Sequence, residues 1–300
     1  MRYTDLIENA KKARARGNFR EAITYYQEAF SHKIMVDDLV DYGLVHLDNN
    51  QPLQAIEVFR EIIEVLPQLA YVYYYLGVAY EEIGKKAEAK NYYLEAIKKD
   101  DSFSEAYFSL ALLTDEEDDE NQAYEYYKKA LLHNPDHFWA NLNLGSFYEK
   151  HNQLENALKH TLHAYRLHPK EKMVSYNLGV ISSKQKKYDA ARDYYLEEIE
   201  KDGYIMAYMN LALLHKDVYQ DYENARFYYL AGIAKDKDNA ALWYNLGCIY
   251  ALMKDYENTY SCLLYALMRD RGLKEFMLKD GELLEFTKSD FYYKLLKEIG

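Results

Sequence analysis

Cysteine, proline and glycine are all scarce. Two cysteines in 300 residues cannot build the disulfide framework of a small secreted domain. Four prolines and twelve glycines fit collagen-like, low-complexity and turn-rich β classes poorly. Basic side chains are outnumbered, 37 against 49 acidic ones, for a net charge of −12. A duplex-DNA or generic RNA binder needs a basic face to neutralise phosphates, so nucleic acid is not an expected partner. No run of about 18 apolar residues occurs, and no membrane span is expected. Met1 to Phe19 carries charges every few residues and no apolar h-region, so no secretory signal is visible. With 29% charged residues and a mean hydropathy of −0.52, the chain reads as reduced, soluble and cytoplasmic.

Apolar residues, at 49%, are ample for a core, and tyrosine is abundant at 34 copies. The charge is unevenly placed. Residues 1–36 hold 7 basic and 4 acidic side chains, net +3, whereas residues 37–150 hold 9 and 23, net −14. A one-sided field of this kind biases partner choice and encounter rate rather than fold.

The chain repeats itself. Tyr73 to Tyr80, Ala140 to Gly145, Ser175 to Gly179 and Trp243 to Tyr250 share one pattern. Their glycines, Gly77, Gly145, Gly179 and Gly247, are spaced by multiples of 34 residues. Ala89 to Ala96 and Ala123 to Ala130 recur between them. This pattern resembles the tetratricopeptide repeat family, whose period is 34. Eight repeats can be placed, at about 3–35, 36–69, 70–103, 104–137, 138–171, 172–204, 205–239 and 240–271. The family's small first-helix residue is matched by Ala10, Gly43, Gly77, Ala111, Gly145, Gly179, Ala212 and Gly247. Its second-helix alanine is matched by Ala22, Ala55, Ala89, Ala123, Ala157, Ala191 and Ala225, with Thr259 departing. The large residue four positions on is Tyr26, Phe59, Tyr93, Tyr127, Thr161, Tyr195, Tyr229 and Leu263. Pro67, Pro135 and Pro169 stand where the second helix ends. An extra residue falls in the turn of repeat seven, around Asp217 to Asp221, and Gly203 lies at a repeat boundary.

Small residues let antiparallel helices approach, and bulky ones fill the space beside them. A helix pair cannot bury its own apolar stripe, so neighbours must stack. A length that would ordinarily suggest two domains therefore reads as one continuous array over 1–270. The resemblance implies an all-α fold, a right-handed α–α superhelix. Residues 272–300, with Leu283, Leu284, Phe286, Phe291, Leu295 and Leu296 at helical spacing, are expected to cap the last repeat.

Chemistry is sparse. No phosphate-cradling glycine motif is present, and no cofactor is expected. His160, His163 and His168 lack the H-E-x-x-H pattern of a metal helix and are read as surface residues. Asp115 to Glu120 lacks the central glycine and alternating ligands of a calcium loop. Cys248 and Cys262 have no histidine in their repeat and read as buried small side chains. In each Tyr-Tyr pair (25–26, 92–93, 126–127, 194–195, 228–229) one ring is expected to pack and the other to lie at the edge. No constellation supports an enzyme.

In the family resembled, partner peptides lie against first-helix residues. With the small residue at position 8, positions 2, 5, 6, 9, 12 and 13 form a stripe apart from the packing positions. Position 6 reads Glu8, Asp41, Tyr75, Ser109, Asn143, Asn177, Asn210 and Asn245. Four successive amides, each with a donor and an acceptor, can pair with both groups of a peptide bond. They resemble the asparagine ladder of O-linked N-acetylglucosamine transferases and armadillo-type importins. Asparagine is also common here in the family's consensus, so inheritance without use is the alternative. Trp139, Leu142, Met173, Tyr176, Val180, Met206, Met209, Leu213 and Tyr244 surround the ladder, and Tyr71, Tyr74 and Phe108 line the earlier repeats. Asp41, Asp48, Glu81, Glu82, Glu105, Asp115 and Glu116 flank them. Position 9 reads Lys11, Leu44, Val78, Leu112, Ser146, Val180, Leu213 and Cys248, without the asparagine of the chaperone-binding carboxylate clamp, which is therefore disfavoured. The expected function is a non-catalytic scaffold that binds an extended or helical segment of another protein, with a basic segment favoured by the acidic repeats. The alternative is a regulatory superhelix that changes conformation on binding a small signalling peptide.

Overall fold

The computed structural model describes residues 1–201 and 204–299. Gly203 and Gly300, assigned above to a repeat boundary and to the cap, lie outside them. Among the described residues every regular element is helical. The repeat helices are α1 (Tyr3–Ala15), α2 (Phe19–Phe30), α3 (Val36–Asp48), α4 (Pro52–Val65), α5 (Ala70–Glu82), α6 (Lys86–Lys99), α7 (Ser104–Glu116) and α8 (Glu120–His133). They continue as α9 (Phe138–Lys150), α10 (Leu154–Leu167), α11 (Val174–Lys184), α12 (Tyr188–Glu200), α13 (Met206–Asp217), α14 (Tyr222–Lys235), α15 (Ala240–Leu252) and α16 (Tyr256–Arg269). The chain forms two compact units, residues 1–144 and 145–300, and the division falls within α9.

Inside each unit, a first helix packs on the second helix of its own repeat, as α5 does on α6 and α11 on α12. Second helices then pack on the next first helix, α4 on α5 and α12 on α13. The small-to-large pairing explains the approach. A Cβ built on Gly179 would lie 2.5 Å from the Tyr195 ring, and one on Gly247 3.0 Å from Leu263. Gly43, Gly77 and Gly145 oppose Phe59, Tyr93 and Thr161 in the same way. The second-helix tyrosines Tyr26, Tyr93, Tyr127, Tyr195 and Tyr229 are fully buried, while their neighbours in the pairs stay half-exposed.

Each hairpin turns through one residue with a left-handed backbone: Gly17, Asn50, Gly84, Asp118, Asn152, Lys186, Gln220 and Lys254. These stand seven positions after the small residue except in repeat seven, where the extra residue moves Gln220 to the eighth. Several repeat helices start on a side-chain cap, among them α8, α14, α15 and α16, from Asp119, Asp221, Asn239 and Asp255. Each carboxylate or amide oxygen accepts a backbone N–H that the helix cannot satisfy itself.

Two boundaries differ from expectation. Helix α11 begins at Val174, after the residue-172 start of its repeat, because Met173 is itself left-handed (φ 70°). Its start is held by Glu198 of α12, a fully buried carboxylate. That group accepts from the N–H of Met173 at 2.7 Å, of Tyr204 at 3.1 Å and of Tyr176 at 3.4 Å. The C-terminal segment is α17 (Leu273–Met277), two 3-10 turns (Gly281–Leu283 and Phe286–Lys288) and α18 (Asp290–Ile299). It buries Met277, Leu283, Phe286 and Leu295 against Tyr244, Cys248, Leu263 and Leu267. Leu284, expected on the apolar side, is exposed because a 3-10 turn advances side chains by 120° rather than 100°.

Candidate functional site

The ladder is tied to the core. Asn143 donates its amide N–H to the Tyr127 hydroxyl at 3.2 Å. Asn210 donates to the hydroxyls of Tyr176 at 3.4 Å and Tyr195 at 3.5 Å. The buried phenol of one repeat thus reaches the position-6 residue of the next, 15 or 16 residues later. In repeat three the Tyr93 hydroxyl instead donates to Glu81 of its own repeat at 2.8 Å. In repeat five the phenol is replaced by Thr161, too short to reach, and Asn177 turns to the Ser146 hydroxyl at 3.1 Å. Asn245 bonds the Ala241 carbonyl of its own helix at 2.9 Å, and the buried Tyr229 hydroxyl has no partner among the described residues. All four ladder amides are half-buried, each with at least one amide N–H engaged inside the protein. Their carbonyl oxygens accept from no described residue. Burial pushes the Tyr127 phenol up to about 12, against the opposing pull of Asn143.

Pockets recur between successive first helices in one register, built from positions 9 and 12 of one repeat and position 6 of the next. Between α1 and α3, a pocket of about 590 Å³ is lined by Lys11, Arg14, Asp41 and Asp48. It is ionic: Lys11 meets Asp41 at 3.0 Å and Arg14 meets Asp48 at 2.6 Å. Between the last turns of α9 and the first two turns of α11, a pocket of about 100 Å³ is lined by Ser146, Glu149, Tyr176, Asn177, Val180 and Ile181. Between α11 and α13, one of about 370 Å³ has Val180, Leu213, Leu214 and Val218 as apolar walls, with Asn210, Lys184 and Asp217 beside them.

The other face residues fall into two groups. Trp139 (46% exposed) and Met173 (42%) are open, and Met206, Met209 and Tyr176 are half-buried. Tyr71, Tyr74 and Phe108 are also half-buried, held by aromatic contacts with Tyr75, Phe103 and His137. Tyr244 is a correction. It is 3% exposed and donates to Asp280 at 2.7 Å, because the C-terminal segment covers it. His160 is corrected as well: it is half-buried and stacked on Tyr148, and burial lowers its pKa ahead of the charges of Lys159 and His163.

The acidic residues are partly neutralised at home. Asp41 and Asp48 are paired as above, and Glu116 and Glu117 of the acidic run pair with Lys86 and Lys90 at 2.5 and 2.7 Å. Glu82 and Asp115 have no cation beside them among the described residues. Burial, then the carboxylates of Asp48 and Glu81, push Glu82 above its ordinary range. Cys248, Asp280 and Glu282 bring three ligand atoms within 4.8 Å of one another, but the group is closed on itself. Lys216 pairs with Glu282, and the Cys248 thiol donates to Asp280 at 3.6 Å. Burial pushes both thiols up, Cys262 to about 12, so neither is a ready nucleophile.

The sequence missed the phenols beneath the ladder. Their signal was a tyrosine 15 or 16 residues before Asn143, Asn210 and Asn245, a relation across two repeats that Thr161 breaks for Asn177.

Paired helices of similar length, the close approach of a small residue to the second helix and pockets at three junctions in one register define an α-helical hairpin-repeat protein. Models described as tetratricopeptide repeat match residues 70–103, 104–137, 126–159, 174–200 and 240–271, and the chain belongs to that family. This repeat fold is typically a non-catalytic interaction scaffold. The chain covers only 18% and 11% of the lengths of the curated relatives it matches first. One is a probable UDP-N-acetylglucosamine–peptide N-acetylglucosaminyltransferase SPINDLY of Solanum lycopersicum, 30% identical over 103 residues, or 34% of this chain. Among solved structures, a chain of the APC/C hetero-tetramer Cut9–Hcn1 is similar with a TM-score of 0.61 at 15% identity, over 94% of this chain and 54% of that one. PilF of Pseudomonas aeruginosa is similar with a TM-score of 0.60 at 26% identity, over 74% of this chain and 98% of that one. No helix among the described residues is long and apolar enough to cross a membrane.

Proposed function

We propose that this chain is a non-catalytic, cytoplasmic scaffold that holds a segment of another protein on the face of its first helices. The observation that carries the reading is the recurrence of pockets in one register, each containing a position-6 residue. Aromatic and methionine side chains beside them offer contact area with little preference for one shape. The family supports a scaffold over an enzyme, and the buried, protonated cysteines offer no catalytic group.

In residues 1–144, Glu82 and Asp115 stand on α5 and α7, the same first helices that carry Tyr74 and Phe108, a setting that favours lysine or arginine in the partner segment. Screening beyond roughly 8 Å at physiological salt makes the consequence measurable. Capture from a native lysate identifies the partner, and its on-rate should then fall as salt rises. A Glu82→Gln/Asp115→Asn variant should lose much of that salt dependence. A partner whose on-rate is indifferent to salt would remove the acidic repeats from recognition.

A further inference from the structure

We infer that the first-helix face of α13 and α15 is a binding surface for an acidic turn, held in this structure by the chain's own Asp280 and Glu282. A partner segment with two acidic residues separated by one takes this surface by lifting that turn away. The inference rests on the segment-holding reading above and gives residues 145–300 a partner chemistry of opposite sign to the one that repeats three and four favour.

Counted from the small residue at position 8, Lys216 is position 12 of repeat seven, and Tyr244 and Cys248 are positions 5 and 9 of repeat eight. All three belong to the stripe that faces a partner, and all three are donors. One oxygen of Asp280 accepts from the Tyr244 hydroxyl at 2.7 Å and from the Cys248 thiol at 3.6 Å. Glu282 accepts from the Lys216 ammonium. The C-terminal segment therefore does more than close the end of the array. It reaches back past repeat eight to a helix of repeat seven and sets two carboxylates on the groove stripe.

What holds the turn there is polar. Met277 and Leu283, on either side of it, are buried anchors at 2% and 0% exposed, whereas Leu278, the one large apolar side chain of residues 278–282, is 54% exposed. Lifting these five residues gives up hydrogen bonds and an ion pair. It leaves Met277, Leu283, Phe286 and Leu295 sealing the last repeat. Lys216 keeps Asp217 at 3.2 Å when the turn leaves, while the Tyr244 hydroxyl and the Cys248 thiol lose the carboxylate they share.

The three donors select the occupant. A carboxylate accepts a hydrogen bond more strongly than a peptide carbonyl does. A basic segment would bring a second cation beside Lys216, and an uncharged one would lack the charge that Glu282 supplies. Two acidic residues in the order of Asp280, Gly281 and Glu282 reproduce the contacts seen.

The test uses the full chain and two measurements. Asp280→Ala/Glu282→Ala removes both carboxylates and keeps both anchors. Hydrogen exchange should then rise over residues 278–283 and stay at the parent's level in α16 and α18. Faster exchange through α16 and α18 as well would make the turn part of the cap and overturn the inference. The binding probe is fluorescein-labelled Leu-Lys-Asp-Gly-Glu-Leu, the sequence of residues 278–283, read by anisotropy. The double variant should bind it roughly tenfold or more tightly than the parent, whose own turn occupies the surface. Leu-Lys-Asn-Gly-Gln-Leu should bind the variant roughly tenfold more weakly than the acidic probe, through the loss of charged hydrogen bonds. Within the double variant, Lys216→Met should remove the gain and Lys216→Arg should keep it. Equal affinity for parent and variant, or no preference for the acidic probe, overturns the inference. These failures concern the α13 and α15 face alone. The segment-holding reading fails separately, when Leu213→Trp, which fills the pocket between α11 and α13, leaves the affinity of the captured partner unchanged.

Discussion

A single asparagine in this fold serves two masters, the groove and the core beneath it. Seen from the sequence, Asn143, Asn177, Asn210 and Asn245 form one set whose removal should leave stability almost untouched. The hydrogen bonds divide them. Asn143 and Asn210 partner buried phenols, and truncating either leaves a hydroxyl without a donor, a loss of about 1–3 kcal/mol. Asn245 bonds only its own helix and a methionine sulfur. Denaturant melts should therefore show Asn143→Ala and Asn210→Ala clearly destabilised and Asn245→Ala within about 0.5 kcal/mol of the parent. Adding Tyr127→Phe to Asn143→Ala should recover most of the loss, since both partners are then apolar. Equal costs for all three asparagines would refute the link between phenol and ladder. The hairpin turns offer a converse case. Lys254 holds φ at 63°, where an L side chain costs roughly 1–2 kcal/mol. Lys254→Gly should stabilise the last repeat by about 1 kcal/mol less the glycine's extra chain entropy, and a melting temperature lower than the parent's would contradict it.

At the scale of the helix, what was legible in the sequence was whatever the repeat stated locally and often. Small residues facing large ones, prolines closing second helices and tyrosine pairs with one ring inside all rest on contacts within one hairpin, and recurrence from repeat to repeat reinforces each signal. The inserted residue of repeat seven was visible for the same reason. What escaped was anything that needed a partner from elsewhere. The late start of α11 depends on Glu198, more than twenty residues downstream, and a lone glutamate on a helix looks like a solvated charge. Tyr244 looked like a groove aromatic because its position says so, whereas the acidic turn that covers it comes from beyond the last repeat. The ladder's asparagines were found, but not their bonds, which run between repeats. Glu198 makes a sharp test of this scale. Alanine there strips the N–H groups of Met173 and Tyr204 of their acceptor, a cost on the order of 3 kcal/mol for bonds to a charged group. Glutamine keeps one acceptor and should cost less. Hydrogen exchange should localise the opening of Glu198→Ala to the first turn of α11, and uniform loosening of the whole unit would assign the carboxylate a different role.

Across the molecule, the same burial that locks the hairpins sets the pH range over which they hold. Burial raises the phenols of Tyr26, Tyr93 and Tyr127 in the first unit and of Tyr195, Tyr229 and Tyr244 in the second. A raised folded-state pKa means the neutral phenol is favoured in the fold, while the unfolded chain ionises near 10. Their stabilisation is therefore complete below about pH 10 and is lost as pH rises above it. Each phenol held neutral costs about 1.4 kcal/mol per pH unit in that range, so three per unit amount to roughly 4 kcal/mol. Net stabilities of about 5–15 kcal/mol cannot absorb much of that. On the acid side, burial lowers His137, His160 and His215. The unfolded chain binds these protons near pH 6.5 and the folded one resists, so stability is full above that value and declines as pH falls below it. The expected profile is a plateau between about pH 6.5 and 10, a shallow fall on the acid side and a steep one on the alkaline side. Because buried phenols stand in both units, both should melt in the same alkaline window. Melting temperatures at half-unit steps from pH 5 to 11, with tyrosinate absorbance followed alongside, check this. Tyrosinate should appear for the buried rings only as the helices are lost. Full ionisation of all 34 tyrosines with the helical signal intact at pH 11 would mean that the phenols do not hold the repeats together.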